Sequence, residues 1–283
     1  MLGEIARRAV LDEDHRALAA ACKPGTGLCT IVDIEGSFSR RLGAQMAVLS
    51  TGDTVGSLAD GCLEAQLSAD IRSLDRPAIS RYGRGSPKID FRLPCGGGLD
   101  ILLDPAPDRD ACRNALAHLS NREPARLALP EISPLAERRY LPALQLVAMG
   151  EGPELQGLER LAHAMGIAID ARTKERLALG RPAPDCTFDP WTALVLMFHD
   201  HEWEPALLEQ ALAGDAFYIG AQGGENARIE RSLTLAARGV CEEQIARIRS
   251  PVGLIPACRT PDALAISVLA EIVGQYERIL AGP

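Results

Sequence analysis

The chain has 283 residues, 47% of them apolar and 24% charged, and carries a formal net charge of -8. This is the composition of a soluble globular protein with room for two domains. It excludes nucleic acid as a partner, because the basic pairs Arg7-Arg8, Arg40-Arg41 and Arg138-Arg139 are isolated and no Lys/Arg field interleaves with aromatics.

The segment Met1 to Arg8 is charged and leads into Asp12, Glu13 and Asp14, so it lacks the apolar centre of a secretory signal. No uninterrupted apolar run reaches the roughly 18 residues of a membrane span. The eight cysteines, at positions 22, 29, 62, 95, 112, 186, 241 and 258, show neither CxxC nor zinc-finger spacing. The expectation is a cytoplasmic protein with reduced thiols and no disulfide framework.

A first domain is expected over residues 1–120. Ile5, Ala6, Val10, Leu18 and Ala19 suit an opening helix. Leu28 to Ile34 is rich in β-formers and reads as a strand, followed by the turn Gly36-Ser37 and a second strand from Ala44 to Leu49. Asp60 is a candidate N-cap for a helix carrying Cys62, Leu63, Leu67 and Ile71. Ile89 to Leu93 and Leu99 to Leu103 read as strands on either side of the turn Cys95-Gly96-Gly97-Gly98, giving a mixed sheet. A helix follows Pro107, and residues 121–142, punctuated by Pro124, Pro130, Pro134 and Pro142, read as a linker.

The second domain, residues 143–283, opens with the apolar run Leu144 to Met149. This passes into Gly150-Glu151-Gly152-Pro153, then a helical pattern through Met165, then the strand Ile167 to Asp170. A glycine turn between strand and helix, with an acid twenty residues after Gly150, is the layout of a dinucleotide-binding βαβ unit, in which Asp170 meets a ribose. Leu155 stands where that fingerprint has its third glycine. Ala193 to Phe198 is a buried strand ending in His199-Asp200-His201-Glu202. A helix through Leu212, a strand from Ala216 to Ile219, the glycine turn Gly220 to Gly224 and a further helix follow. Thr260-Pro261-Asp262 starts a last helix running to Leu280. The alternation predicts a Rossmann-like doubly wound parallel sheet with ligands at the carboxyl ends of its strands.

Three constellations bear chemistry. Cys62 and Cys95 each sit beside glycines, where backbone amides approach a ligand closely, and each is read either as a ligand-holding thiol or as a small residue in a tight turn. Either one is also a candidate metal ligand. Arg40 is a candidate anion contact near Gly36-Ser37, or half of a solvated pair. The segment from His199 to Glu202 is read as cleft-lining contacts or a general base, as a satisfied loop cluster, or as a metal site.

In order along the chain, Gly36-Ser37, Arg40, Gly43-Ala44, Gly61-Cys62-Leu63-Glu64 and Cys95-Gly96-Gly97 resemble the N-terminal motifs of the XdhC/CoxI family, the xanthine dehydrogenase accessory proteins. Gly150 to Pro153, Asp170-Ala171-Arg172, His199-Asp200, Tyr218 to Gly223 and Pro251 to Leu254 resemble its C-terminal Rossmann domain. The resemblance implies an α/β fold, with a mixed α/β N-terminal domain and a Rossmann-like C-terminal one. It implies an accessory protein rather than a catalyst, one that binds the molybdenum cofactor (molybdopterin) and protects it during sulfuration with a cysteine desulfurase. Such a protein then assists its insertion into a molybdenum hydroxylase of xanthine dehydrogenase type. Cys62, Cys95, Gly96, Gly97, Arg40, Gly150, Gly152, Asp170, His199, Asp200, Gly220 and Gly223 are the implied cofactor-binding residues, with the two thiols expected to converge at the Rossmann cleft. A homodimer covering exposed sheet edges is expected. The alternative is an NAD(P)-dependent oxidoreductase with His199 or His201 as proton carrier.

Overall fold

The computed structural model describes residues 13–59, 61–87 and 96–281, which fall into two compact units, Met1–Pro142 and Ala143–Pro283. Asp60, the expected strand Ile89 to Leu93, and Cys95 lie outside the described residues.

The N-terminal unit begins, among the described residues, with helix α1 (Glu13–Ala21), followed by β1 (Gly27–Glu35), β2 (Gln45–Val48), β3 (Thr54–Val55) and α2 (Gly61–Arg72). It continues with β4 (Ala78–Gly83), β5 (Gly98–Asp104), α3 (Arg109–Ser120), β6 (Ala125–Ala128) and β7 (Glu137–Tyr140). Five strands form one sheet in the order β3-β2-β1-β5-β4. Every pairing in it is antiparallel, where a mixed sheet was expected. The central strand β1 reads as a continuous apolar run because both its faces are covered. Cys29 and Ile31 point to the face packed by Leu63, Leu67 and Ile71 of α2, whereas Leu28 points to the face packed by Ala17, Leu18 and Cys112 of α1 and α3. Each of those α2 side chains contributes about 2 kcal/mol by leaving water.

Residues 121–142, read from sequence as a linker, hold the antiparallel hairpin β6-β7. Ala125, Leu127 and Tyr140 bury themselves beside Cys112, Ala115 and Leu119, while Pro130 and Pro134 occupy the loop joining the two strands. Helix α3 is capped by Asp108, whose carboxylate accepts from the amides of Asp110 and Ala111.

The C-terminal unit runs β8 (Gln145–Gly150), α4 (Gly152–Ala164), β9 (Ala168–Arg172), β10 (Thr192–Met197), α5 (Glu204–Leu212) and β11 (Tyr218–Ala221). It closes with α6 (Glu225–Ala237), the short α7 (Glu242–Ile245), β12 (Ile248–Arg249) and α8 (Pro261–Ala281). Its sheet has the order β12-β11-β10-β8-β9 and is parallel throughout. One face packs Val147, Met149, Leu194, Leu196 and Ile219 against Leu207, Leu208 and Leu235 of α5 and α6. Helix α4 packs on β8 and β9 and against α8. There Gly157 faces Ala265, whose Cβ lies 3.5 Å from where a Cβ on the glycine would be, an ordinary packing distance. This is the doubly wound arrangement, with the chain reversing direction between β8 and β10. Thr260 caps α8, its hydroxyl accepting from the Ala263 amide at 3.2 Å. Among the described residues no helix is long and apolar enough to cross a membrane.

Candidate functional site

Antiparallel pairing brings several chain ends of the N-terminal sheet to one edge. The carboxyl ends of β1, β3 and β4 lie there with the amino ends of β2 and β5, and Glu35 and Gly83 both pair with Gly98. The segments that leave or enter there are Gly36 to Gly43, Gly56 to Cys62 and Gly96 to Gly98. Gly36, at φ +87°, makes a turn that other residues rarely adopt and lies over Gly97, whose Cα is 3.6 Å from its Cβ position. Four residues further on, Arg40 Nε donates to the Ser57 carbonyl and its Nη2 to the Ser57 hydroxyl, each at 3.2 Å. That hydroxyl donates to Glu64 Oε1 at 2.7 Å, and the same oxygen accepts from the Leu58 amide at 3.2 Å. Glu64 thus ties the incoming loop to the first turn of α2. Leu63 beside it is buried, which leaves Cys62 exposed at the helix start. The structure therefore gathers Arg40, Cys62, Gly96 and Gly97 on one edge of the sheet.

The cysteines differ in environment. Burial pushes the Cys112 thiol up to about 12, and burial raises Cys29 further still. Cys22 and Cys186 are also raised by burial. Cys62 and Cys241 are exposed. Brief treatment with iodoacetamide near neutral pH is expected to label Cys62 and Cys241 and to spare Cys29 and Cys112 until the chain is denatured, because the thiolate is the nucleophile. Peptide mass spectrometry reads the pattern, and labelling of Cys29 in the native protein would refute it.

In the C-terminal unit the ends of β8, β9, β10 and β11 surround the point of chain reversal. Gly150 is needed by the strands themselves, for a Cβ there would stand 2.4 Å from the Met197 carbonyl oxygen. Gly152, at φ +83°, forms the turn into α4, and His199 Nε2 lies 3.8 Å from where its Cβ would be. His199 is also 3.6 Å from Glu154 Oε2. Asp200 caps the turn after β10 by accepting from the Glu202 amide at 3.2 Å. Lys174, just beyond β9, sits 2.7 Å from Glu151 Oε1 and 3.9 Å from Asp200 Oδ2, and stands over the Trp203 ring at 5.3 Å. It bridges the β8 turn and the β10 loop.

Two expected contacts are otherwise occupied. Asp170 holds Arg172 at 2.6 Å through Oδ2 and Arg176 at 3.4 Å through Oδ1, so both oxygens are engaged within its own segment. Gly220 lies inside β11, and the space its Cβ would fill is taken by Tyr218 and Val252, each 2.7 Å away. Its smallness serves packing. Gly223, at φ +128°, begins the turn into α6, with His201 Cε1 3.3 Å from its Cβ position.

The sequence reading missed the most buried charges of this unit. Glu204 is 1% exposed and pairs with Arg231, 4% exposed, at 2.7 Å. Arg231 also donates to the Gln222 carbonyl at 2.7 Å and to Ser250 Oγ at 2.8 Å, tying the ends of β10 and β11 together. His201 Nδ1 lies 2.9 Å from Glu204 Oε1. An ionised carboxylate can only accept, so Nδ1 is the donor toward Glu204, and this contact orients the ring. Among the described residues no three His, Cys, Asp or Glu side chains are grouped to hold a metal ion, so the metal reading of residues 199–202 has no geometric support.

A parallel doubly wound unit joined in one chain to an antiparallel unit with an exposed thiol defines a two-part Rossmann-domain protein. Residues 146–272 match the family model of the XdhC Rossmann domain, and residues 23–83 match that of the XdhC and CoxI family. The chain is 31% identical to the Escherichia coli K12 molybdenum cofactor insertion chaperone PaoD, covering 94% of this chain and 90% of that protein. It is 23% identical to a Bacillus subtilis protein whose name describes it as part of a probable xanthine dehydrogenase, covering 89% and 93%. A crystal structure from Bacillus halodurans, described as a xanthine dehydrogenase, shares the fold at a TM-score of 0.71 and 20% identity, covering 94% of this chain and 96% of that one. The chain belongs to the XdhC and CoxI family.

Proposed function

We propose that this protein is a maturation factor for the molybdenum cofactor. It takes up the molybdopterin as cargo and shields it while a cysteine desulfurase supplies the terminal sulfur. It then assists insertion into a xanthine dehydrogenase-type molybdenum hydroxylase. The observation that carries the reading is the exposed Cys62 thiol on the glycine-rich edge held by Arg40, Ser57 and Glu64, in a chain 31% identical to a protein named a molybdenum cofactor insertion chaperone.

On this edge each group has a task. Cys62 offers a soft sulfur ligand suited to molybdenum or to its sulfido group. Arg40 adds positive charge near the anionic tail of a pterin phosphate. Gly96 is exposed and, with the buried Gly97 beside it, puts no side chain in a ligand's way, and Cys95 is the second thiol of the proposal. In the C-terminal unit, His199, Asp200, Gly152 and Gly223 lie together at the carboxyl ends of the strands and are proposed as cofactor contacts in their own right. A cytoplasmic location and a homodimer complete the reading. The nicotinamide alternative has less support, because Asp170, its ribose ligand, is engaged by Arg172 and Arg176.

The test is direct. The purified full chain is mixed with cofactor released from a molybdoenzyme and passed through gel filtration, and pterin and molybdenum are measured in the protein peak. Both are expected to travel with the protein at near-equal ratio; a protein peak free of both would end the proposal.

A further inference from the structure

Nucleotide-binding Rossmann units place a ligand diphosphate on the free amides at the start of the helix after their first strand. In this chain an acid of the helix itself stands beside that place. Glu154 lies in the first turn of α4, and its Oε2 stands 3.1 Å from the Cβ position of Gly152, folded back over the turn. Among the described residues that oxygen is buried and accepts no hydrogen bond, and His199 Nε2 stands 3.6 Å from it. Two more carboxylates, Glu151 and Asp200, border the same turn, with Lys174 between them. Three carboxylates and one lysine therefore surround the turn. A diphosphate approaching Gly152 meets like charge and brings no donor for the waiting oxygen. Leu155 further fills the position where dinucleotide-binding turns have their third glycine.

We propose that Glu154 is a specificity-determining residue that keeps diphosphate-bearing nucleotides off the start of α4. The crevice is thereby reserved for ligands that do not seat a diphosphate on this turn, and free dinucleotides do not compete for it.

The experiment is calorimetric titration of the full chain with inorganic pyrophosphate and, separately, with NAD+. Neither contains pterin or molybdenum, so its outcome is separable from that of the cofactor proposal. Four proteins are compared: the wild type, Glu154→Gln, Glu154→Ser, and Glu159→Gln as a charge control further along α4. The wild type and the control are expected to show no binding at about 1 mM ligand, and Glu154→Gln to bind both ligands at least about tenfold more tightly than that limit. Glu154→Ser supplies the same reading should the glutamine variant fold poorly, with circular dichroism confirming the fold of each. Tight binding by the wild type overturns the proposal. So does silence from folded Glu154 variants, or an equal gain in the Glu159 control.

Discussion

Cys62→Ser is expected to lower the cofactor retained by the purified protein by at least about tenfold, equivalent to about 1.4 kcal/mol of binding free energy, while leaving the fold unchanged. The hydroxyl keeps the size and hydrogen-bonding of the side chain but loses the soft, polarisable sulfur that molybdenum and its sulfido group prefer. Stability is insensitive to the change because Cys62 is exposed, whereas the neighbouring Leu63, Leu67 and Ile71 carry the packing of α2. A surface substitution of this kind stays within about 0.5 kcal/mol. Cys241→Ser, at an exposed thiol of the C-terminal unit, is the matched control and should retain cofactor as the wild type does. Pterin fluorescence after oxidation and molybdenum by mass spectrometry read the result. Undiminished retention in a Cys62→Ser, Cys95→Ser double variant would remove the thiols from the mechanism.

The second large effect concerns stability. Removing the Glu204 carboxylate with Glu204→Ala leaves Arg231 buried and without its counter-charge, at an expected cost of about 3–5 kcal/mol. Both tryptophans of the chain, Trp191 and Trp203, lie in the C-terminal unit, so their emission during urea titration follows that unit selectively. The midpoint is expected to fall well below that of the wild type. Replacing both partners by methionine should recover most of the loss, since an apolar pair needs no desolvation of charge. Recovery stays partial because Arg231 also binds the Gln222 carbonyl and Ser250. A loss under about 1 kcal/mol for Glu204→Ala would show that the pair is not the bond between strand ends that its geometry suggests.

What the sequence disclosed follows the physics of each element. Strands β8 and β10 are covered on both faces, so they appear as unbroken apolar runs and were read at nearly their observed bounds. Edge strand β4 was missed because Ser80 and Arg81 interrupt its pattern and only Tyr82 in it is fully buried. The hairpin β6-β7 was read as a linker because its prolines cluster in the connecting loop and few of its side chains face the core. Antiparallel pairing in the first sheet depends on contacts distant in sequence, which no local pattern encodes. At the sites, a thiol beside glycine was visible as a motif. The Glu204–Arg231 pair was not, because its partners are 27 positions apart and each alone resembles an ordinary helical surface residue. Glycines were legible by position, whereas the crowding that Gly150 and Gly220 relieve inside the sheet comes from strand neighbours that no local pattern names.

The shared edge of the N-terminal sheet has an evolutionary corollary. Each loop there is rooted at both ends in strands or helices whose packing lies deeper in the unit, so its tip can be lengthened, shortened or rewritten one loop at a time. A scaffold built this way can be retuned by loop exchange, with the layers beneath left as they are.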